Sequence, residues 1–169
     1  MSRGGYNIDY DTGFKIENDL FSKYYDMLKN IIMATQLEQT ARGLMDKCTG
    51  TDAVALINGI VYGVSLRFRN GDYHSFTLNR HINDEYSEVN KWIRNRNESI
   101  KPAVFIQVAE TFTYYRLIRV NIDAFSYYLE KLIKSGELDK FYNSGLLAYE
   151  FKLDALKNVA GIFTTVIKK

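Results

Sequence analysis

From Val64 to Arg69 the chain alternates strictly between apolar and polar residues, Val-Ser-Leu-Arg-Phe-Arg, which is the two-residue period of a half-buried β-strand. Upstream lies a second β-rich run, Ala53–Ile57, and between the two sits Asn58-Gly59, the strongest short signal for a two-residue hairpin turn. Such a turn sets the register. Counting outward from it, Ile57 faces Ile60, Leu56 faces Val61 and Asp52 faces Ser65. Ser65, Arg67 and Arg69 then share one face with Asp52, while Tyr62, Val64, Leu66 and Phe68 point the other way. A carboxylate beside a hydroxyl and a stripe of guanidiniums is the donor set of a polyanion or metal-phosphate site.

Other patterns fill in the order of elements. Apolar residues at Phe21, Tyr24, Tyr25, Leu28, Ile31 and Ile32 recur near helical spacing and predict a helical region from Phe14 to Met45, with a break around Met33–Gln36. Residues 1–13 are rich in Gly, Asp and Tyr and read as a flexible N-terminus, leaving 14–169 as a single domain. After an Asn70-Gly71-Asp72 turn, Tyr73–Leu78 predicts a third antiparallel strand. A helix follows over Asp84–Arg96, acidic at its start and basic at its end as the macrodipole favours. Strands are expected over Ala103–Ala109 and Tyr114–Val120, and then a helix capped by Asp123 and running to Lys134. A short helix over Glu137–Asn143, a helical turn at Leu153–Asn158 and strands at Leu147–Phe151 and Ile162–Ile167 complete the chain. The class is α/β (α+β): a central mixed sheet with an antiparallel hairpin at 52–69, flanked by helices.

Composition narrows the chemistry more than it names it. A net charge of +2 means that any nucleic-acid-binding surface must be local. One cysteine, Cys48, excludes an internal disulfide and fits a reducing compartment, and with only two histidines an ordinary zinc site is excluded. No apolar run reaches the length of a membrane-spanning helix and the N-terminus lacks a signal-peptide core, so a cytoplasmic location is the expectation. The 13 tyrosines suit both a partner surface and a β-rich core, and the core is the favoured place.

A carboxylate opening one strand and a triplet on the next, here Asp52 and Ser65-Leu66-Arg67, resembles the PD-(D/E)XK nuclease superfamily. The resemblance spans residues 34–120 and is nearest to uncharacterised phage-encoded members. Its landmarks are Ala34-Thr35, Glu38, Asp46, Gly50-Thr51-Asp52, Arg67-Phe68-Arg69, Phe76-Thr77-Leu78-Asn79-Arg80, and Glu88 to Lys91. It implies a restriction-endonuclease-like core, Mg²⁺ or Mn²⁺ held by Asp52 and Glu38, and Arg67 in the position of the superfamily's Lys. DNA is the implied partner, and the protein would act in the host cytoplasm or travel with a virion. Two departures matter: Ser65 replaces a charged ligand, and the guanidinium of Arg67 stays protonated and cannot serve as a base. Glu85 or Glu88 from the next helix is the candidate for the missing carboxylate.

Each candidate also has a plain structural reading. Asp52 serves equally as a strand-leading residue whose carboxylate is satisfied by backbone amides. Arg67 and Arg69, with Arg80, Arg94 and Arg96, form either a phosphate-binding face or a dispersed set partly paired with Glu85 and Glu88. Glu38 is also an ordinary solvated helix position. Three functions therefore stand: a Mg²⁺-dependent DNA endonuclease, a nuclease-derived binding module without catalysis, and a virion or host-interaction protein. Homodimerisation through the late strands is compatible with all three.

Overall fold

A computed structural model describes residues 19, 22–24, 34–36, 52–57, 60–80, 87–94 and 102–169. The flexible N-terminus expected over 1–13 lies outside them, as does the Asn58-Gly59 turn. The register that turn implies is observed: Ile57 pairs with Ile60, Leu56 with Val61 and Ala53 with Val64. β1 (Ala34–Gln36) precedes this hairpin of β2 (Ala53–Ile57) and β3 (Ile60–Asn70). The helical region expected from Phe14 to Met45 is thus interrupted by a strand where a break was foreseen, because Ala34–Gln36 pairs antiparallel with Ala53–Ala55. Residues 22–24 are helical.

β4 (Ser75–Asn79) corrects a second expectation, since it does not pair with β3. The far edge of β3 is taken by β5 (Pro102–Glu110), which runs parallel to it, and the Gly71 N–H donates to the Glu110 carbonyl at 2.7 Å. With that edge filled, β4 turns away and pairs antiparallel with β8 (Ala148–Lys152), which also takes β7 (Tyr142–Asn143). The main sheet has the order β1-β2-β3-β5-β6-β9, with β6 at Tyr114–Asn121 and β9 at Ile162–Lys168. The molecule is α+β, a mixed sheet accompanied by a smaller antiparallel one.

Helix α1 (Glu88–Arg94) lies within the expected 84–96 span, and residues 81–86 and 95–100 are outside those described. Helix α2 (Ile122–Lys134) is capped by Asn121 rather than Asp123, with Asn121 Oδ1 accepting from the Ala124 N–H at 2.9 Å. Asp123 sits inside the first turn, where a negative charge favours the macrodipole. The segment expected as a short helix over Glu137–Asn143 is a 3₁₀ turn, Leu138–Phe141, followed by β7.

Alternation along the strands sorts the core onto two faces. Val64, Leu66, Ile106 and Val108 pack with Tyr24 on one side. On the other, Phe105, Ile118 and Val120 meet α1, α2 and the small sheet through Phe76, Val89, Trp92, Phe125, Leu129 and Phe151. Phe76 is the hub, with ring centroids 5.4 Å from both Phe125 and Phe151. Phenylalanine, not tyrosine, fills this core: of the described tyrosines only Tyr24 and Tyr149 are buried. The phenol oxygen needs a partner wherever it is buried, which a benzyl side chain does not. Among the described residues no helix is long and apolar enough to cross a membrane.

Candidate functional site

The polar face of β3 lies against the larger core, so its side chains must find partners inside the molecule. Asp52 immediately precedes β2 and is 4% exposed. Its N–H donates to the Val64 carbonyl at 2.8 Å, one residue out of the register in which Ala53 pairs with Val64 and Asp52 would have met Ser65, so the ladder slips at Asp52. Its Oδ2 accepts from the Leu66 N–H at 2.7 Å and from the Ser65 hydroxyl at 3.4 Å. The carboxylate thus has a backbone amide as partner, as its structural reading required.

Arg67, two residues along the same face, is 3% exposed. Its Nη2 donates to Glu88 Oε1 at 2.6 Å. Its Nη1 donates to the Thr77 carbonyl and, at 3.1 Å, to Thr77 Oγ1. The guanidinium lies 5.4 Å from the centroid of the Phe105 ring. Glu88 opens α1 and is engaged at both oxygens, Oε2 accepting from the Asn79 N–H. Burial pushes the Glu88 carboxyl up, but the Arg67 charge and the hydrogen bonds from Arg67 and Asn79 outweigh it, so its pKa lies below the ordinary value. The Nε of Arg67 is buried and has no hydrogen-bond partner among the described residues.

Arg69 reaches the same threonine, Nη2 donating to Thr77 Oγ1 at 3.2 Å. Burial lowers its pKa, and the like charge of Arg67 lowers it further. Among the described residues it is hydrogen-bonded to no carboxylate. Gln107, opposite Arg67 across the parallel seam, is 1% exposed and donates through Nε2 to the Ser75 carbonyl at 2.9 Å.

The structure therefore links Arg67, Arg69 and Glu88 through Thr77 and Asn79, and sets Asp52 against Ser65 of the strand that carries both arginines. Arg80 is turned onto the rings of Tyr142 and Tyr149, 5.0 and 5.9 Å from their centroids. Arg94 is exposed at the end of α1. Glu38, Asp46, Cys48, His81, Glu85 and Arg96 lie outside the described residues. Thr77 and Asn79 were noted only as part of the Phe76–Arg80 landmark, with no role of their own, and Gln107 was not singled out from the sequence. Gln107 carried a signal, a lone amide inside the apolar run Val104–Ala109, whereas the backbone groups of Thr77 and Asn79 carried none.

A divalent cation of this class needs several oxygen donors free to face it. Asp52 gives one oxygen to the Leu66 amide and both Glu88 oxygens are bonded, with the Arg67 cation against Glu88. No group of three or more His, Cys, Asp or Glu able to hold a metal occurs among the described residues. The described donors do not fit Mg²⁺ or Mn²⁺ in this arrangement. Comparison with protein-family models, curated proteins and solved structures finds no match.

Proposed function

We propose that the chain is a phage-type, PD-(D/E)XK-like protein with a restriction-endonuclease-like core that binds nucleic acid without cleaving it. The observation that carries this reading is the buried Arg67–Glu88 pair. It joins the residue in the position of the superfamily's lysine to a carboxylate that was to complete the metal shell, and the Asn79 N–H takes that carboxylate's other oxygen. A fixed internal cation does not exchange with solvent metal, so the arrangement favours a static module over a hydrolytic centre. Arg69 supplies the binding chemistry, a half-buried guanidinium beside a second one with no carboxylate of its own among the described residues. A phosphate diester matches that charge and fork geometry.

The test measures binding of single- and double-stranded DNA oligonucleotides in EDTA over a range of salt, beside cleavage with Mg²⁺ and with Mn²⁺. Binding is expected to persist in EDTA, with log K falling linearly as log salt rises and no cleavage with either metal. Arg69→Ala is expected to weaken binding to every sequence alike and to reduce the salt slope by about one unit. Metal-dependent cleavage abolished by Asp52→Ala in a folded protein would replace this reading with the endonuclease. Absence of binding at low salt would leave the virion or host-interaction role.

A further inference from the structure

Among the described residues β9 is an outer strand of the main sheet, hydrogen-bonded to β6 on one side only. Natural sheets protect such edges with charges, proline, bulges or shortness. β9 has seven residues in unbroken register with β6, and Ile162–Ile167 holds neither charge nor proline. Phe163 is 57% and Val166 50% exposed, and both threonines between them are exposed too.

The hydrogen bonds define which peptide groups are free. The Asn121 N–H donates to the Gly161 carbonyl at 2.7 Å and the Lys169 N–H to the Thr113 carbonyl at 3.1 Å. Both pairs belong to one register, so odd-numbered residues of β9 direct their backbone groups at β6. Ile162, Thr164, Val166 and Lys168 therefore direct theirs outward.

We infer that β9 pairs antiparallel with β9 of a second copy of this chain, about a two-fold axis through Thr165. That register sets Thr164 against Val166 and Ile162 against Lys168, so each outward peptide group meets another outward one. Thr165 meets itself and Phe163 meets Ile167, covering the exposed apolar side chains on one face of the joined sheet. The two Lys168 residues fall at opposite ends of the seam, where their charges do not oppose each other. Two-fold pairing closes on itself, whereas pairing of β9 with β1 of another copy would run on without limit. β1 also offers only three residues against seven. The inference is independent of the nucleic-acid reading.

Sedimentation of the full chain across a wide concentration range should show a monomer–dimer equilibrium that ends at dimer. Thr164→Pro removes an outward N–H and leaves the β6 ladder intact, so it should give a monomer with unchanged circular dichroism. Val166→Lys, which places a charge on the edge without touching the backbone, should do the same and serves if the proline variant fails to fold. In a Cys48→Ser background, Thr165→Cys should crosslink to itself on oxidation, because a residue facing its own copy in a non-hydrogen-bonded pair lies about 4.5 Å away at Cα. Phe163→Cys alone should not crosslink. A monomer at every concentration, open-ended oligomers, or a dimer indifferent to both edge variants would overturn the inference.

Discussion

At the scale of single residues, Arg67 shows how a polar side chain survives inside a core. A guanidinium at 3% exposure is tolerated because Glu88, Thr77 and the Phe105 ring together replace its water. Removing only one member should be costly: Glu88→Ala leaves the cation buried and unpaired, at about 3–5 kcal/mol. The double change Arg67→Met, Glu88→Leu should cost less than the single one, since no charge is left buried and unpaired, although the Thr77 carbonyl and the Asn79 N–H lose a partner. Urea unfolding of the two variants checks the contrast, and equal losses would refute it. Glu110 gives a separate, acid-linked prediction. Hydrogen bonds from Lys169 at 2.8 Å, Lys23 at 2.6 Å and Tyr24 lower its carboxyl from 4.5 to about 2. A depressed folded-state pKa contributes stability that is complete above the unfolded value and is lost as pH falls through the folded one. The contacts of Glu110 with residues 23, 24 and 169 should therefore weaken between pH 4.5 and about 2. A carboxyl-carbon NMR titration of Glu110 reads this directly, and a midpoint near 4.5 would contradict it. The pairing of Ala53–Ile57 with Ile60–Val64 was legible because Asn58-Gly59 leaves one register open, whereas the slip at Asp52 was not, although its carboxylate still meets the Ser65 hydroxyl. The partners of Arg67 on β4 and α1 were not, apart from Glu88, because no local pattern encodes a contact between separate elements.

At the scale of elements, the helix α2 was visible from its periodicity but its boundary was not. Asn121 and Asp123 are both good caps, and the choice fell to Asn121 because β6 runs directly into the helix, bringing its N–H to the Gly161 carbonyl. The other end closes with Gly136 at φ +70°, where the Gly136 and Glu137 N–H groups return to the carbonyls of Ile133 and Leu132. Gly161, at φ +84°, lies under the same helix, and an added Cβ would stand 2.9 Å from that of Ala124 and 3.0 Å from that of Asn121. Gly136→Ala, with open space around it, should cost about 1 kcal/mol from backbone conformation alone. Gly161→Ala should cost a further 1–3 kcal/mol or so, because overpacking is added to the same backbone penalty. Thermal unfolding ranks the two, and equal shifts would show that the helix yields to the methyl group. The strand β4 was legible as a strand but not its sheet. Its sequence alternates as an antiparallel neighbour of β3 would, and only the long-range arrival of β5 at that edge displaces it.

At the scale of the whole molecule, six strands separate two cores, and the chain crosses between them by alternation alone. The α+β class and the mixed sheet were readable because each strand carries its own period. The second sheet was not, because β4 is far in sequence from the neighbouring strands β7 and β8 that it joins. The same distance has a kinetic meaning at the junction of β3 and β5. The pairs β2–β3 and β5–β6 are each joined by short turns, whereas Gly63–Asn70 meets Pro102–Glu110 across some forty intervening positions. Loop closure of that length must precede any reward from the contact, so the two hairpins form early and the parallel seam late. Arg67 and Gln107 face each other across that seam, so the Phe105 ring reaches the Arg67 guanidinium only with this joining step. Until then each hairpin is an independent half, and the buried cation of the finished molecule lacks the ring that covers it.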